Sequence, residues 1–338
     1  MTTLSTTHEE IALAAPDGTP VPNLRDLIDT HLHMPFPFRR NPHEAEAAAG
    51  VDAWLNEWGL TDEPGVAAMI HQTRPAELAS LTSPAVDADL LRIVAGQIAY
   101  QFVFDDRAEA VGRRSPGRLL PMLCESVEIL RDGRPAGSPL GAALADLHRQ
   151  VRERCTPEQA ARWAWKSREY VHGLLYEAVA QAHPFLLETE NCTSIRSLTA
   201  GVEPFYPLYE AAQSPGPAVA ELHRPAVQRL SRLSSDAAVW TADLFSAVKE
   251  QRAGEMINLA LARRREHGCS LQDAVLLAVR EINGTIEEFE RLRAEVEPEL
   301  SPAVLGCLQG MIGWMRGCYD WSRAVPRYAD VVSVPAVP

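Results

Sequence analysis

Apolar residues recur at helical spacing from Asn41-Pro42 onward, in HEAEAAAGVDAWLNEWGL, DADLLRIVAGQIAYQFVF, PLGAALADLHRQVRERC and a long run that begins at Thr156. Such stripes bury themselves against other helices, and no stretch offers the strict alternation a half-buried strand requires. Helix starts are written explicitly. Thr156-Pro157-Glu158-Gln159 has the capping-box pattern with proline at the first helical position, Ser270 to Asp273 resembles another, and Ser301-Pro302 repeats the Ser-Pro entry. Asn283-Gly284 lies inside a helical period, so it does not mark a hairpin. The chain is expected to be all-α and to form one domain of ten or more helices over residues 26–330. Residues 1–25 are expected to form a flexible N-terminal tail and 331–338 a C-terminal tail. The prolines around Pro35 to Pro37 and Pro215 to Pro217 read as connections.

With 338 residues, 46% of them hydrophobic, the chain can bury a large core. Its net charge of -13 excludes a general nucleic-acid or anionic-membrane binder, because phosphate backbones are held by excess Lys and Arg. No stretch reads as a membrane span or a secretory leader, so a cytoplasmic location is expected. The six cysteines are scattered without a C-x-x-C pair and read as reduced core residues. Lysine occurs at Lys166 and Lys249 alone, which singles out Lys249 beside Glu250.

Two acidic clusters carry the chemistry: Asp105, Asp106 and Glu109 in FVFDDRAE, and Asp243, Ser246 and Glu250 in ADLFSAVKE. At about 100° per residue, each set falls within roughly one third of a helix circumference. Each helix then presents one oxygen-rich face, and Mg²⁺ is held by a few carboxylates together with substrate phosphates. Phe102, Val103 and Phe104 run directly into Asp105, so the first cluster stands at the rim of an apolar segment.

FDDRAE and ADLFSAVKE resemble the aspartate-rich motif and the Asn-Asp-x-x-Ser-x-x-x-Glu motif of bacterial class I terpene synthases. Arg196, 46 positions before Ala242, resembles that family's diphosphate-sensing arginine, and Arg327-Tyr328 its closing Arg-Tyr pair. MPFPFRRNP resembles its entry segment, so the resemblance spans residues from about 36 to 330. It implies a class I terpenoid synthase-like helical bundle around a central apolar cavity, a linear prenyl diphosphate substrate and three Mg²⁺ ions. It further implies that Asp105 bridges two metals with Asp106 and Glu109 in support, and that Ser246 and Glu250 hold the third. Arg196, Lys249, Arg327 and Tyr328 would donate to the diphosphate, Arg196 also acting on helix movement through Thr199 and Ala200. Phe102, Phe205 and Trp314 would present aromatic faces to a carbocation, while Trp240 and Trp321 read as packing. The pattern departs at Ala242, which stands where the family has a ligand Asn. With position 242 at 0°, Ser246, Glu250 and Asp243 fall at about 40°, 80° and 100°, so Asp243 or a water is expected to replace the missing amide. A catalytically weak or inactive protein of this fold is the alternative that Ala242 raises.

Three other readings compete. Asp29-Thr30-His31-Leu32-His33 resembles the metal-binding start of amidohydrolase barrels, but the alternating strands and later ligands of such a barrel are missing from the sequence. A prenyl chain-elongating enzyme would carry a second aspartate-rich motif where this chain has the Ser/Glu pattern. A non-catalytic helical interaction protein would release no diphosphate. Farnesyl diphosphate is the expected substrate. Geranylgeranyl diphosphate is the alternative if Ala200, Gly201 and Gly310 leave room for a longer chain. The sequence is compatible with both a monomer and a homodimer.

Overall fold

The computed structural model describes residues 23–328 apart from positions 64, 114, 185, 186 and 215. Most of both expected tails, residues 1–22 and 331–338, and Pro215 therefore lie outside the described residues. The described residues are 81% helical and contain no strand. A short opening group comprises α1 (Leu24–His31), α2 (Glu44–Glu57), α3 (Val66–Thr73) and α4 (Pro75–Thr82). The long α5 (Ala88–Gly112) follows, then α6 (Leu120–Asp132), α7 (Pro139–Arg154) and α8 (Pro157–Ala182). Next come α9 (Thr189–Thr199), α10 (Tyr206–Ala211), α11 (Val219–Leu222) and α12 (Pro225–Ala253). The last three are α13 (Leu259–His267), α14 (Leu271–Val296) and α15 (Pro302–Ala324).

The caps explain where these helices start. Asp87 accepts from Leu90 N–H at the head of α5, and Thr156 and Gln159 exchange both bonds of a capping box at the head of α8. Ser270 and Ser301 accept from the third residues of α14 and α15. Each satisfies a backbone donor that would otherwise lack a partner in the first turn. Asn283, inside α14, uses its amide to hold the N-terminal strap: Oδ1 accepts from His33 N–H and Nδ2 donates to the His31 carbonyl. Asp29 accepts from Tyr319 and Arg323 on α15. The Asp-Thr-His-x-His segment thus ends a helix and ties it to the bundle.

One main apolar core runs from Ile28 to Tyr328, with a small satellite around Cys192, Ile257 and Ala262. Within it α12 packs along α14 and α15, α15 along α4, and α4 along α5. Glycines on α15 set the closest approaches. A Cβ on Gly313 or Gly317 would collide with the backbone of Thr82 or Leu81 on α4, and one on Gly310 would stand 2.2 Å from the Tyr209 ring. Gly310 therefore admits Tyr209, not a longer substrate. Gly201, at φ +63°, is likewise filled from the other side by Gln101, whose amide donates to the Gly201 carbonyl. All six cysteines are free thiols; Cys192, Cys307 and Cys318 are buried, whereas Cys124 is exposed and Cys155 and Cys269 are half-buried, so only half of them are core residues.

Candidate active site

α5, α12 and α15 build a cavity of about 160 Å³, closed by α8, α9 and α4. Along each of the three long elements the wall changes character in chain order. α5 contributes Ile98 and Phe102 before Asp105 and Glu109; α12 contributes Val239 and Ala242 before Lys249 and Glu250; α15 contributes Trp314, Cys318 and Trp321, and the helical turn that follows it, Pro326–Tyr328, contributes Arg327 and Tyr328. Ile98 to Asp105 is seven residues, about 10 Å of helix. The cavity is therefore greasy over one stretch and charged over the next.

Asp105 faces the cavity and is otherwise enclosed by protein. Burial first, then the neighbouring Asp106 carboxylate, hold its carboxyl above the usual range, against the pull of Arg196, Arg327 and Lys249. Asp106 accepts from Arg327 Nη2 at 3.1 Å, which ties the Arg-Tyr pair to α5. Glu109 forms an ion pair with Arg113, whose Nη1 also donates to the Ala253 carbonyl at the end of α12. Lys249 lines the cavity and, among the described residues, makes no ion pair or hydrogen bond, whereas Lys166 is engaged by Glu169 and Glu203. Tyr328 sits edge-on to Trp321.

Asp243 is held by partners that its position in the sequence did not announce. It is fully buried, Oδ1 accepts from Arg196 Nε at 2.8 Å, and Oδ2 accepts from Leu259 N–H at 2.8 Å. Both oxygens are engaged and Asp243 does not line the cavity, so here its carboxylate holds the Arg196 guanidinium rather than filling the place of the amide missing at Ala242. Burial pushes its carboxyl up to about 7 while the Arg196 guanidinium pulls the other way. Ser246 is buried beneath the wall, and Glu250 reaches the cavity with Oε2 accepting from Asn258 Nδ2 at 2.7 Å.

The aromatic wall also differs from expectation. Phe102 and Trp314 line the cavity, but Phe205 is fully buried behind Trp314, their ring centroids 4.8 Å apart. Trp321, expected as packing, is on the wall. It stacks on Phe102 at 5.8 Å and is locked by a 2.7 Å hydrogen bond from its indole N–H to the Thr73 carbonyl. Sequence reasoning also missed Glu177 on α8, which faces Arg196 and Asp105 across the cavity. Burial, then the Asp105 charge, push its carboxyl up to about 8. A carboxylate amid the apolar face of GLLYEAVAQA was the available signal.

Residues 98–288 match the family model described as "Terpene synthase family 2, C-terminal metal binding". Over 336 residues, 99% of both chains, the sequence is 72% identical to the (-)-alpha-amorphene synthase ((2E,6E)-farnesyl diphosphate cyclizing) of Streptomyces viridochromogenes. The chain is a class I terpene synthase. This synthase is also 28% identical, over 88% of its length and 94% of the other's, to a (+)-corvol ether B/(+)-corvol ether A synthase of Kitasatospora setae. The crystal structure of germacradien-4-ol synthase from Streptomyces citricolor superposes with a TM-score of 0.76 at 27% identity, covering 87% of this chain and 98% of that one.

The family description carries metal binding, and the donors of this synthase suit a hard divalent ion. No cluster of three or more His, Cys, Asp or Glu side chains converges on one point among the described residues. Added positive charge would relieve Asp105, whose carboxyl burial and Asp106 hold above the usual range. Among the described residues no helix is long and apolar enough to cross a membrane.

Proposed function

We propose that this protein is a sesquiterpene synthase that ionises farnesyl diphosphate with three Mg²⁺ ions and guides the resulting cation to a cyclic hydrocarbon or alcohol, releasing diphosphate. The observation that carries the reading is the 72% identity along the full length to a farnesyl diphosphate-cyclizing synthase. The order of apolar and charged wall along α5, α12 and the C-terminal element that ends at Tyr328 supports it: the terpene chain has a dry, aromatic stretch, and the diphosphate with its ions has a charged one that carries both carboxylates and the cations Arg196, Lys249 and Arg327.

Asp105, with Asp106 and Glu109 beside it, would hold ions at one side, and Ser246 with Glu250 at the other. When bound, those ions would neutralise the charge that develops on the departing diphosphate. Lys249, Arg327, Arg196 and Tyr328 would donate to its oxygens, in a site where fixed donors act with little competition from water. Asp243 would hold Arg196 through Nε, leaving the two terminal nitrogens of the guanidinium for the diphosphate. Phe102, Trp314 and Trp321 would offer π faces that attract a cation without supplying a nucleophile. Phe205 would keep Trp314 in place.

The test is incubation with Mg²⁺ and geranyl, farnesyl or geranylgeranyl diphosphate, followed by gas chromatography of extracts and a diphosphate assay. Farnesyl diphosphate is expected to give a C15 product, and Asp105→Ala to abolish it. A preference for geranylgeranyl diphosphate would move the assignment to diterpenes, and silence with all three would refute it.

A further inference from the structure

Asn258, the residue before α13, is fully buried and its amide is saturated. Oδ1 accepts from Leu261 N–H at 3.1 Å and caps α13. Nδ2 donates to the Asp243 carbonyl at 2.9 Å and to Glu250 Oε2 at 2.7 Å, and lies 3.4 Å from Ser246 Oγ. One side chain thus touches both oxygen donors of the second acidic cluster, and the adjacent Leu259 N–H holds the Asp243 carboxylate.

The orientation of this amide is fixed by backbone groups on both sides. Leu261 N–H requires an acceptor and the Asp243 carbonyl requires a donor, so a flipped amide would face like against like at both. Toward Glu250 and Ser246 Asn258 can present N–H alone. It therefore cannot supply the oxygen that Ala242 lacks. What it can do is orient the donors that remain: with Glu250 Oε2 tethered, Oε1 is left for the cavity. Partners of this kind fix the geometry of metal-binding carboxylates, and removing them costs about 10–100-fold in metal affinity. Where a site has two protein donors in place of three, the orientation of each matters more.

We propose that Asn258 is a positioning residue of the Ser246–Glu250 half-site, holding those two donors ready for a divalent ion where position 242 contributes none. The inference rests on the metal assignment given under Proposed function.

The experiment measures Mn²⁺ binding in the presence of inorganic pyrophosphate, by electron paramagnetic resonance of free Mn²⁺, for the unmodified protein, Asn258→Ser, Ala242→Asn and the double variant. Serine keeps an oxygen for the α13 cap but is too short to reach Glu250. Asn258→Ser is expected to weaken the weakest-bound ion by about 10-fold or more. In the Ala242→Asn background the same change should cost at least about threefold less, because a third ligand then holds the ion. Thermal unfolding of all four proteins checks that each is folded. Equal costs in the two backgrounds, or unaltered Mn²⁺ binding by Asn258→Ser, would overturn the proposal while leaving the metal assignment intact. Failure of the unmodified protein to bind Mn²⁺ with pyrophosphate would overturn both.

Discussion

Asp243→Asn separates two roles that the sequence cannot distinguish. The carboxylate gives one oxygen to Arg196 Nε and the other to Leu259 N–H, and both partners are donors. An amide has one acceptor, so its NH₂ must face one of those donors. The variant loses a charge-assisted hydrogen bond and sets a donor against a donor, in a place where Asp243 has no exposed surface and Arg196 about one fifth. Breaking a buried ion pair from one side costs about 3–5 kcal/mol. Glu250 supplies further negative charge near Arg196, which argues for the lower end. For a chain of this length about 3 kcal/mol corresponds to a Tm loss of about 4 °C. Turnover should fall about 100-fold if Arg196 binds the diphosphate as proposed, since its guanidinium loses its fixed position. The assays are thermal unfolding and steady-state turnover of farnesyl diphosphate across a range of Mg²⁺ concentrations. If Asp243 were instead a metal ligand, stability would hold while half-saturating Mg²⁺ rose sharply. That pattern, or a variant with unchanged Tm and turnover, would refute the anchoring role.

Glu177 gives a pH signature. Because burial and Asp105 hold its carboxyl at about 8, the native state retains a proton that the unfolded chain has already released, so stability must fall as pH rises through 8. Between pH 7 and 9 the loss attributable to Glu177 is about 1 kcal/mol, and Glu177→Gln in metal-free buffer should flatten the Tm profile over that interval. Gly310→Ala places a methyl 2.2 Å from the ring of Tyr209, which is buried and bonded to Ser83 at 2.9 Å. Overpacking of this kind costs about 1–3 kcal/mol, to be read from the denaturant midpoint. Ala242→Asn should turn over farnesyl diphosphate at least as fast as the unmodified protein with a lower half-saturating Mg²⁺, measured by steady-state kinetics.

The helical architecture was legible because its signals are local. Thr156-Pro157-Glu158-Gln159 satisfies backbone donors within one turn, and an apolar stripe at helical spacing can be buried only against other helices. The aspartate-rich run also stood out, because Asp105, Asp106 and Glu109 share one face whatever surrounds the helix. Four elements spread over residues 105–328 then located the charged wall by resemblance. The partners of the charged groups were another matter.

Helical angle put Asp243 at the edge of the ligand arc, and nothing local said that Leu259 N–H and Arg196 would claim both of its oxygens. Trp321 read as core because spacing cannot distinguish a ring that faces a cavity from one that faces a neighbour. Only the hydrogen bond to Thr73, 248 residues away, turns it toward Phe102. Gly310 read as space, yet the packed chain fills it with Tyr209. Helices and their faces follow from contacts within a few residues, so the sequence by itself determined them. Which buried donor meets which acceptor, and which small residue leaves room, depends on side chains that only the tertiary structure brings together.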